Sequence, residues 1–389
     1  MRVHASVDHR PLHRLRQARQ ARQATVILLA MLAAGPLARP SSAQDLSRLE
    51  EQAIQAAAER VADSLVQIQC VGGRQRVEGM ALGDGPGTGL IVSPDGLIVT
   101  SQFHFARTPN AILVTLPTGE RLAARRLATD SSRGLVLLKV DLPAGSPPLK
   151  VSPLASMASA RPGAWAVAVG RAFDPDAVNV SVGVISATDR IWGKAIQTDA
   201  KISPSNYGGV LVDIAGRVWG LLVPLSPGRE SKVAGAAWYD SGIGFAIPYE
   251  TIRKILPRLS RGEDLQSGFL GVSLVSEQNL FGIVPQIQRV HPDSPAATAE
   301  LQQGDRIVAI DRQPVGTIAE LKYQLKPHLA GDEVEILIER NGVQVGKTCV
   351  LVNADSIAWI KPEAGKQKPP AAGQMPPQRK QSRDPLDRL

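Results

Sequence analysis

From Leu65 onward, apolar and polar residues alternate in short runs. The runs 65–71, 90–92, 97–100, 111–116, 135–140, 164–169, 180–186, 209–213 and 218–223 each read as a strand, and Gly, Pro and Asp separate them. Many short strands at this spacing predict an all-β barrel or sandwich. No helix of useful length interrupts residues 87–223. Upstream, residues 45–66 open on Asp45 as a cap and continue with helix formers at helical apolar spacing. That pattern predicts a helix feeding the first strand. Residues 249–261 are amphipathic at the same period and predict a helix that closes the β-rich unit. A second unit begins near Ser267. Its pattern predicts strands at 270–275, 283–290, 305–310, 333–339 and 347–351, with helices at 294–301 and 317–328, which outlines a small α+β domain. The segment 74–89 holds five glycines and predicts a mobile loop.

Composition sharpens this outline in two ways. Aromatic residues are only 4% of the chain while apolar residues are 43%, so the cores are expected to be aliphatic. The formal net charge of +8 is concentrated at the ends: residues 1–43 carry +6, residues 361–389 carry +4, and the middle, 44–360, carries −2. The folded part therefore offers no electrostatic footprint for nucleic acid. The N-terminus reads as a secretory signal, 1–43: an Arg-rich stretch, the apolar run from Ala24 to Ala34, then Ser41-Ser42-Ala43 before Gln44. An uncleaved membrane anchor is the alternative, although the apolar run is short for a span. Either way the body is exported, to the periplasm or cell envelope. Residues 361–389 are Pro-, Lys- and Gln-rich with little that is apolar, and a disordered basic tail is expected there. Cys70 and Cys349 are far apart, each within alternating apolar residues. They read as two buried thiols, with a bridge in an oxidising compartment as the alternative. No phosphate loop, metal-ligand cluster or nucleotide fingerprint is present, so no cofactor and no metal is expected.

The chemistry concentrates at Asp199-Ala200-Lys201-Ile202-Ser203-Pro204-Ser205-Asn206-Tyr207-Gly208-Gly209-Val210-Leu211. This stretch has the form of a serine-protease nucleophile loop with Tyr207 where the serine would stand. Three further stretches accompany it in order. They are Gly87-Thr88-Gly89-Leu90-Ile91-Val92 through Thr100, Ala128-Thr129-Asp130 followed by 135–140, and Ser241-Gly242-Ile243-Gly244-Phe245-Ala246-Ile247-Pro248. On these four stretches the chain resembles the HtrA (Deg) family of trypsin-like serine proteases. The resemblance implies a mainly β fold: a trypsin-like double β-barrel at 44–262, followed by a small α+β PDZ domain at 267–353.

A Ser-His-Asp triad divides its labour among nucleophile, base and orienting carboxylate. By direct register with the family, all three places are empty. Phe103 holds the histidine place, Gly134 the aspartate place and Tyr207 the serine place, while Ser205 replaces a glycine of the oxyanion hole. A phenyl ring moves no protons, glycine has no side chain, and a tyrosine hydroxyl with pKa about 10 and no base is a poor nucleophile at neutral pH. A rescue reading keeps the fallback pair His104 and Ser205, with Ser203 beside it. It requires a one-residue bulge to bring His104 into place. The bland alternative makes His104 an ordinary polar residue at a strand end, with Phe103 and Tyr207 packed together in the vacated cleft.

Gly268-Phe269-Leu270-Gly271-Val272 resembles the carboxylate-binding loop of a PDZ domain, and His291-Pro292-Asp293-Ser294-Pro295 with Gly304-Asp305-Arg306 is its second signature. The resemblance implies that Phe269, Leu270, Gly271 and Val272 take a peptide C-terminus by β-augmentation. The helix 317–328 would supply the facing wall, with Leu321 as its candidate and the PDZ core as the other reading for that residue. Glu300 departs from the family, which places a glycine at that helix end. Either Glu300 takes a left-handed backbone or the turn is rebuilt. The expectation is a protein that binds C-terminal or unfolded peptide segments of envelope proteins through its PDZ domain and its degenerate protease cleft, without proteolysis, or a partner of active HtrA-like relatives, in an oligomer such as a trimer. The enzyme alternative is a serine endopeptidase with unconventional or residual activity in envelope protein quality control.

Overall fold

A computed structural model describes residues 43–72, 75–77, 80–82, 86–105, 108–225, 242–275 and 281–357. The segments read as a signal sequence and a basic tail lie outside these residues, as do Ser241 and residues 74, 78, 79 and 83–85. The rest of the glycine-rich segment 74–89 is not the loop expected of it: Gln75–Val77 pairs with Met80–Leu82, and Gly87–Gly89 open a buried barrel strand whose ladder bonds hold them. The chain divides into two compact units, 1–53 and 54–389, and helix α1 (Ala43–Ala62) begins in the first and ends in the second.

In the second unit, six antiparallel strands close a first barrel: β1 (Leu65–Val71), β2 (Gly87–Ile91), β3 (Leu97–Ser101), β4 (Ala111–Thr115), β5 (Arg121–Asp130) and β6 (Leu135–Val140). Their order is β1-β2-β3-β6-β5-β4, and β1 pairs with both β2 and β4. A second closed barrel follows from β7 (Trp165–Gly170), β8 (Asn179–Asp189), β9 (Ala195–Thr198), β10 (Val210–Val212), β11 (Val218–Val223) and β12 (Gly244–Pro248), in the order β8-β9-β12-β11-β10-β7.

Strand β6 explains how the barrels meet. Its run Leu135-Val136-Leu137-Leu138 is buried on both faces. Val136 and Leu138 fill the first barrel with Val66, Ile98 and Val114. Leu135 and Leu137 point the other way and pack with Val167, Val210 and Leu221 of the second barrel. Burying each such side chain contributes about 1.5–3 kcal/mol. Helix α2 (Tyr249–Ser260) adds Ile252, Ile255 and Leu259 to the same inter-barrel core.

The PDZ-like part has its own aliphatic core, including Leu270, Ile287, Ile307, Ile336 and Leu351. Its main sheet is four-stranded and includes Arg306–Ile310, Glu333–Arg340 and Val343–Val350. Short strands Gly268–Phe269 and Val272–Leu274 pair with Val352–Asn353 and Ile287–Val290 respectively. Helix α3 (Pro295–Thr298) is capped by Ser294, and helix α4 (Ile318–Leu325) by a Thr317–Glu320 capping box.

The structure corrects the pattern reading at several places. Strand β5 was not expected, because Arg121, Arg125 and Arg126 point to solvent and little in it is apolar. Strand β9 is four residues long and was also not expected. The expected strand 283–290 is reduced to Ile287–Val290, since Pro285 has no N–H to give a ladder. The expected helix 317–328 stops at Leu325, just ahead of Pro327. Cys70 and Cys349 are both free, and burial pushes each thiol up to about 11.

Glu300 keeps the left-handed turn. Its φ is 57°, and the amide of Leu301 closes on the carbonyl of Ala296 at 2.9 Å. Lys347 Nζ reaches Glu300 Oε2 at 2.9 Å, and Arg340 donates to its carbonyl at 3.0 Å. Glycine adopts this conformation without the Cβ penalty. Glu300→Gly is therefore expected to raise the melting temperature of the full chain, because an exposed ion pair contributes little. A lowered melting temperature would show that the Lys347 pairing outweighs the backbone cost.

Candidate degenerate protease cleft

Strand β3 ends at Ser101 and tightens into a single 3-10 turn, Gln102–Phe105. The amide of Gln102 donates to Gly134 O at 2.7 Å, and the amide of Phe103 to Ser101 Oγ at 3.2 Å. The turn aims three rings inward. Phe105 joins the core of the first barrel, while Phe103 enters the core of the second, with Ile185, Ile196, Ile202, Tyr207 and Trp219.

His104 lies between them and is 7% exposed. Its ring rests on Gly87, where a Cβ would stand 2.3 Å from Nε2. Nε2 lies 3.1 Å from the carbonyl of Tyr207. A carbonyl only accepts, so Nε2 carries the hydrogen and has no lone pair to act as a base. Burial lowers the pKa of His104, and the bond to the Tyr207 carbonyl opposes that only in part.

Gly134 has a φ of 70°, and a Cβ there would meet nothing within 4 Å. The carboxylate nearest in sequence is Asp130, which is fully buried and already engaged. It accepts from Arg133 Nη1 and from the amide of Ser132, each at 2.9 Å.

The loop after β9 is wound on itself. Asn206 N donates to Ser203 O at 2.9 Å, Tyr207 N to Pro204 O at 3.3 Å, and Gly209 N to Asn206 O at 2.8 Å. The amide at the nucleophile place is thus turned toward its own loop, whereas an oxyanion hole needs it aimed at substrate. Gly208 has a φ of 82°, and a Cβ on it would fall 2.0 Å from the carbonyl of Thr88. Tyr207 is 4% exposed, and its ring centroid lies 5.1 Å from that of Phe103 at 65°. Phe103 and His104 meet edge-on at 5.5 Å and 89°. The cavity beside Tyr207, lined by Ile202, Val223, Leu225, Ile243 and Phe245, measures about 10 Å³. That is at or below the space one water requires.

Of the sequence-predicted residues, the fold brings Phe103, His104 and Tyr207 into one cluster, with Gly134 behind it through Gln102. Ser205 lies on the loop, but its Oγ pairs with Ser203 Oγ at 2.8 Å and with Asn206 Oδ1 at 3.4 Å. The base of the rescue reading is therefore committed to Tyr207 O. Thr88 belongs to the first motif, and sequence reasoning assigns it no role of its own. It holds the loop: its amide donates to Tyr207 O at 3.4 Å and its hydroxyl to Ser205 O at 3.3 Å. Its one sequence signal is a polar residue between two glycines in an otherwise apolar strand. Among the described residues there is no cluster of potential metal ligands.

In the PDZ-like part, Gly271 has a φ of 89° and its carbonyl accepts from His291 N at 2.9 Å. Phe269 and Val272 are half-buried. Leu270 and Leu321, both offered as peptide contacts, have side chains in the domain core at 6% and 2% exposure. Leu325, one turn further along helix α4, is partly buried and packs against the same core.

The ring cluster gives a direct energetic expectation. Phe103→Ala and Tyr207→Ala should each destabilise the protein by roughly 3–5 kcal/mol. Because the rings touch, the double variant should fall short of additivity by about 0.5–1.5 kcal/mol in denaturant melts. Strict additivity would show that the two rings do not support each other.

A family profile described as a trypsin-like peptidase domain matches residues 87–221, and one described as a PDZ domain matches residues 268–347. The chain is 31% identical over 285 residues to a Pseudomonas fluorescens protein named probable periplasmic serine endoprotease DegP-like, covering 70% of this chain and 56% of that protein. It is 32% identical over 270 residues to the protein of the same name from Chlamydia trachomatis, covering 66% of this chain and 52% of that protein. The chain thus spans about half the length of these curated relatives. Among solved structures, it is similar to the serine endoprotease from Yersinia pestis, with 27% identity, a TM-score of 0.56, and coverage of 77% of this chain and 97% of that one. It is similar also to the HtrA-type protease AlgW with tripeptide, with 27% identity, a TM-score of 0.59, and coverage of 77% and 96%. A trypsin-like double barrel followed by a PDZ domain, together with the similarity to these endoproteases, places the chain in the HtrA/DegP family.

Proposed function

We propose that this chain is an exported HtrA-like binding protein that recognises C-terminal or unfolded segments of envelope proteins without hydrolysing them. The observation that carries this reading is the Phe103–Tyr207 contact at 5.1 Å, inside the core of the second barrel. Two rings occupy the places of base and nucleophile, and the neighbouring His104 spends its Nε2 hydrogen on the loop carbonyl. The small size of the cavity beside Tyr207 moves the expected binding away from the cleft and onto the PDZ domain. The curated relatives are named periplasmic serine endoproteases, which supports the compartment. Among the described residues, no helix is long and apolar enough to cross a membrane. On this reading residues 44–262 are the inactive protease-like domain and 267–353 the binding domain, alone or assembled with active relatives, as a trimer for instance.

The same names favour a second reading, a serine endopeptidase of envelope quality control that works through Ser205 and His104. The two separate in a casein assay. The purified protein should show no hydrolysis above background, since a lost triad leaves only a residual acceleration of roughly a thousandfold over water. Tyr207→Ser alone should remain inactive, because neither Phe103 nor Gly134 supplies a partner. Hydrolysis that vanishes in Ser205→Ala would sink the binding-only reading.

The full chain should bind peptides with a free apolar C-terminus in the micromolar range, about −8 kcal/mol. Amidating the peptide removes the charge that backbone amides would hold and should weaken binding at least tenfold. Equal affinity for the acid and amide forms would mean that the 268–272 loop captures no terminus.

A further inference from the structure

At the junction of the second barrel and the PDZ domain, one lysine is walled in. Strand β8 ends in a left-handed turn, with φ of 55° at Asp189, 53° at Ile191 and 59° at Trp192. This turn seats on helix α4. A Cβ on Gly193 would lie 3.1 Å from the Tyr323 ring, and the Tyr323 hydroxyl bonds to Asp189. Directly after the turn, Lys194 is 6% exposed. Its Nζ donates to Ser132 O at 2.9 Å, in the turn between β5 and β6, and to Ser267 Oγ at 3.4 Å, at the entry to the PDZ domain. Beside it, Arg133 Nη2 donates to Pro327 O at 3.0 Å and so ties the same turn to the end of α4.

We propose that Lys194 is a proton-operated latch: the PDZ domain is held on the barrel when Lys194 is neutral, and the junction loosens when Lys194 takes a proton. The hydrogen-bond count favours the neutral amine. Its two N–H groups match the two acceptors, and the third N–H of the ammonium has no acceptor among the described residues. The charges around it do the same. The end of helix α4 brings Lys326, and the β5–β6 turn brings Arg133 and Asp130. Among the described residues Asp130 is the one acid close enough to favour the ammonium, and it is already paired with Arg133. The turn's own Asp189 is engaged with Tyr323, and Asp264 of the connecting segment accepts from Thr129 N. Burial first, then Lys326 and Arg133, bring Lys194 down to about 7.

The sign follows from linkage. Released, Lys194 returns to about 10.4. Between pH 7 and about 10 the closed junction binds fewer protons than the open one, so closing strengthens as pH rises. Below pH 7 both forms are protonated, and closing is at its weakest and independent of pH.

Native-state hydrogen exchange of the full chain tests this at the Leu265 amide, bonded to Thr129 O at 2.8 Å, and the Ser131 amide, bonded to Leu265 O at 2.9 Å. After correction for intrinsic exchange, their opening constant should fall about tenfold per pH unit from pH 7 to 9. In Lys194→Met it should be flat. A flat wild-type profile, or the same slope in Lys194→Met, would overturn the proposal. Should that variant fail to fold, Lys326→Gln serves instead. Removing one repelling charge should move the onset of the fall to higher pH, and an unmoved onset counts against the latch.

Discussion

One buried threonine joins the two barrels at the site. Thr88 is fully buried on β2, and four contacts converge on it. Its carbonyl accepts from Thr100 Oγ1 at 2.6 Å, and its hydroxyl accepts from the amide of Arg171 at 2.7 Å. The same hydroxyl and its amide reach the carbonyls of Ser205 and Tyr207. Gly208 must lack a side chain because the carbonyl of Thr88 occupies that space. A buried amide without its acceptor costs about 1–3 kcal/mol, so the loop cannot leave Thr88 without loss. The positions of Ser205, Tyr207 and Gly208 on the loop follow from this tether.

The tether is indifferent to chemistry. It fixes backbone, and it holds Tyr207 as firmly as it would hold a serine. This is why the family fold is compatible with the proposed loss of proteolysis. What changes is the filling. Polar triad groups would need partners in a buried site, whereas Phe103 and Tyr207 add aromatic surface to a core built of Ala, Ile and Leu. His104 supplies a polar contact that stabilises the loop through the Tyr207 carbonyl. On the proposed reading, a reaction centre has become part of the packing between barrels, and recognition passes to the PDZ domain.

Much of this was legible in the sequence, because period-2 alternation and turn residues carry most of a barrel's information. Leu65–Val71, Leu135–Val140 and Val218–Val223 were read with their observed bounds. Strand β5 was not, since its outward residues are arginines and its inward ones largely alanine and leucine. The replacements at Phe103, Gly134 and Tyr207 were visible as letters in a motif. Their consequences were not: the aromatic contact, the hydrogen on His104 Nε2 and the closed cavity depend on segments about a hundred residues apart. The same holds for Leu321, whose helical spacing suits groove and core equally and which packs into the core. Lys194 carried no sequence signal at all, because its environment is assembled from three separate turns.

The central claim, that the loop around Tyr207 holds no working nucleophile, is tested most directly by a fluorophosphonate probe applied to the full-length protein, with adducts located by peptide mass spectrometry. Such probes mark only serines whose hydroxyl is activated by a neighbouring base. The account predicts no adduct at Ser203 or Ser205 under conditions that label an active trypsin-like enzyme to completion. A stoichiometric adduct on Ser205 that disappears in His104→Ala would contradict it.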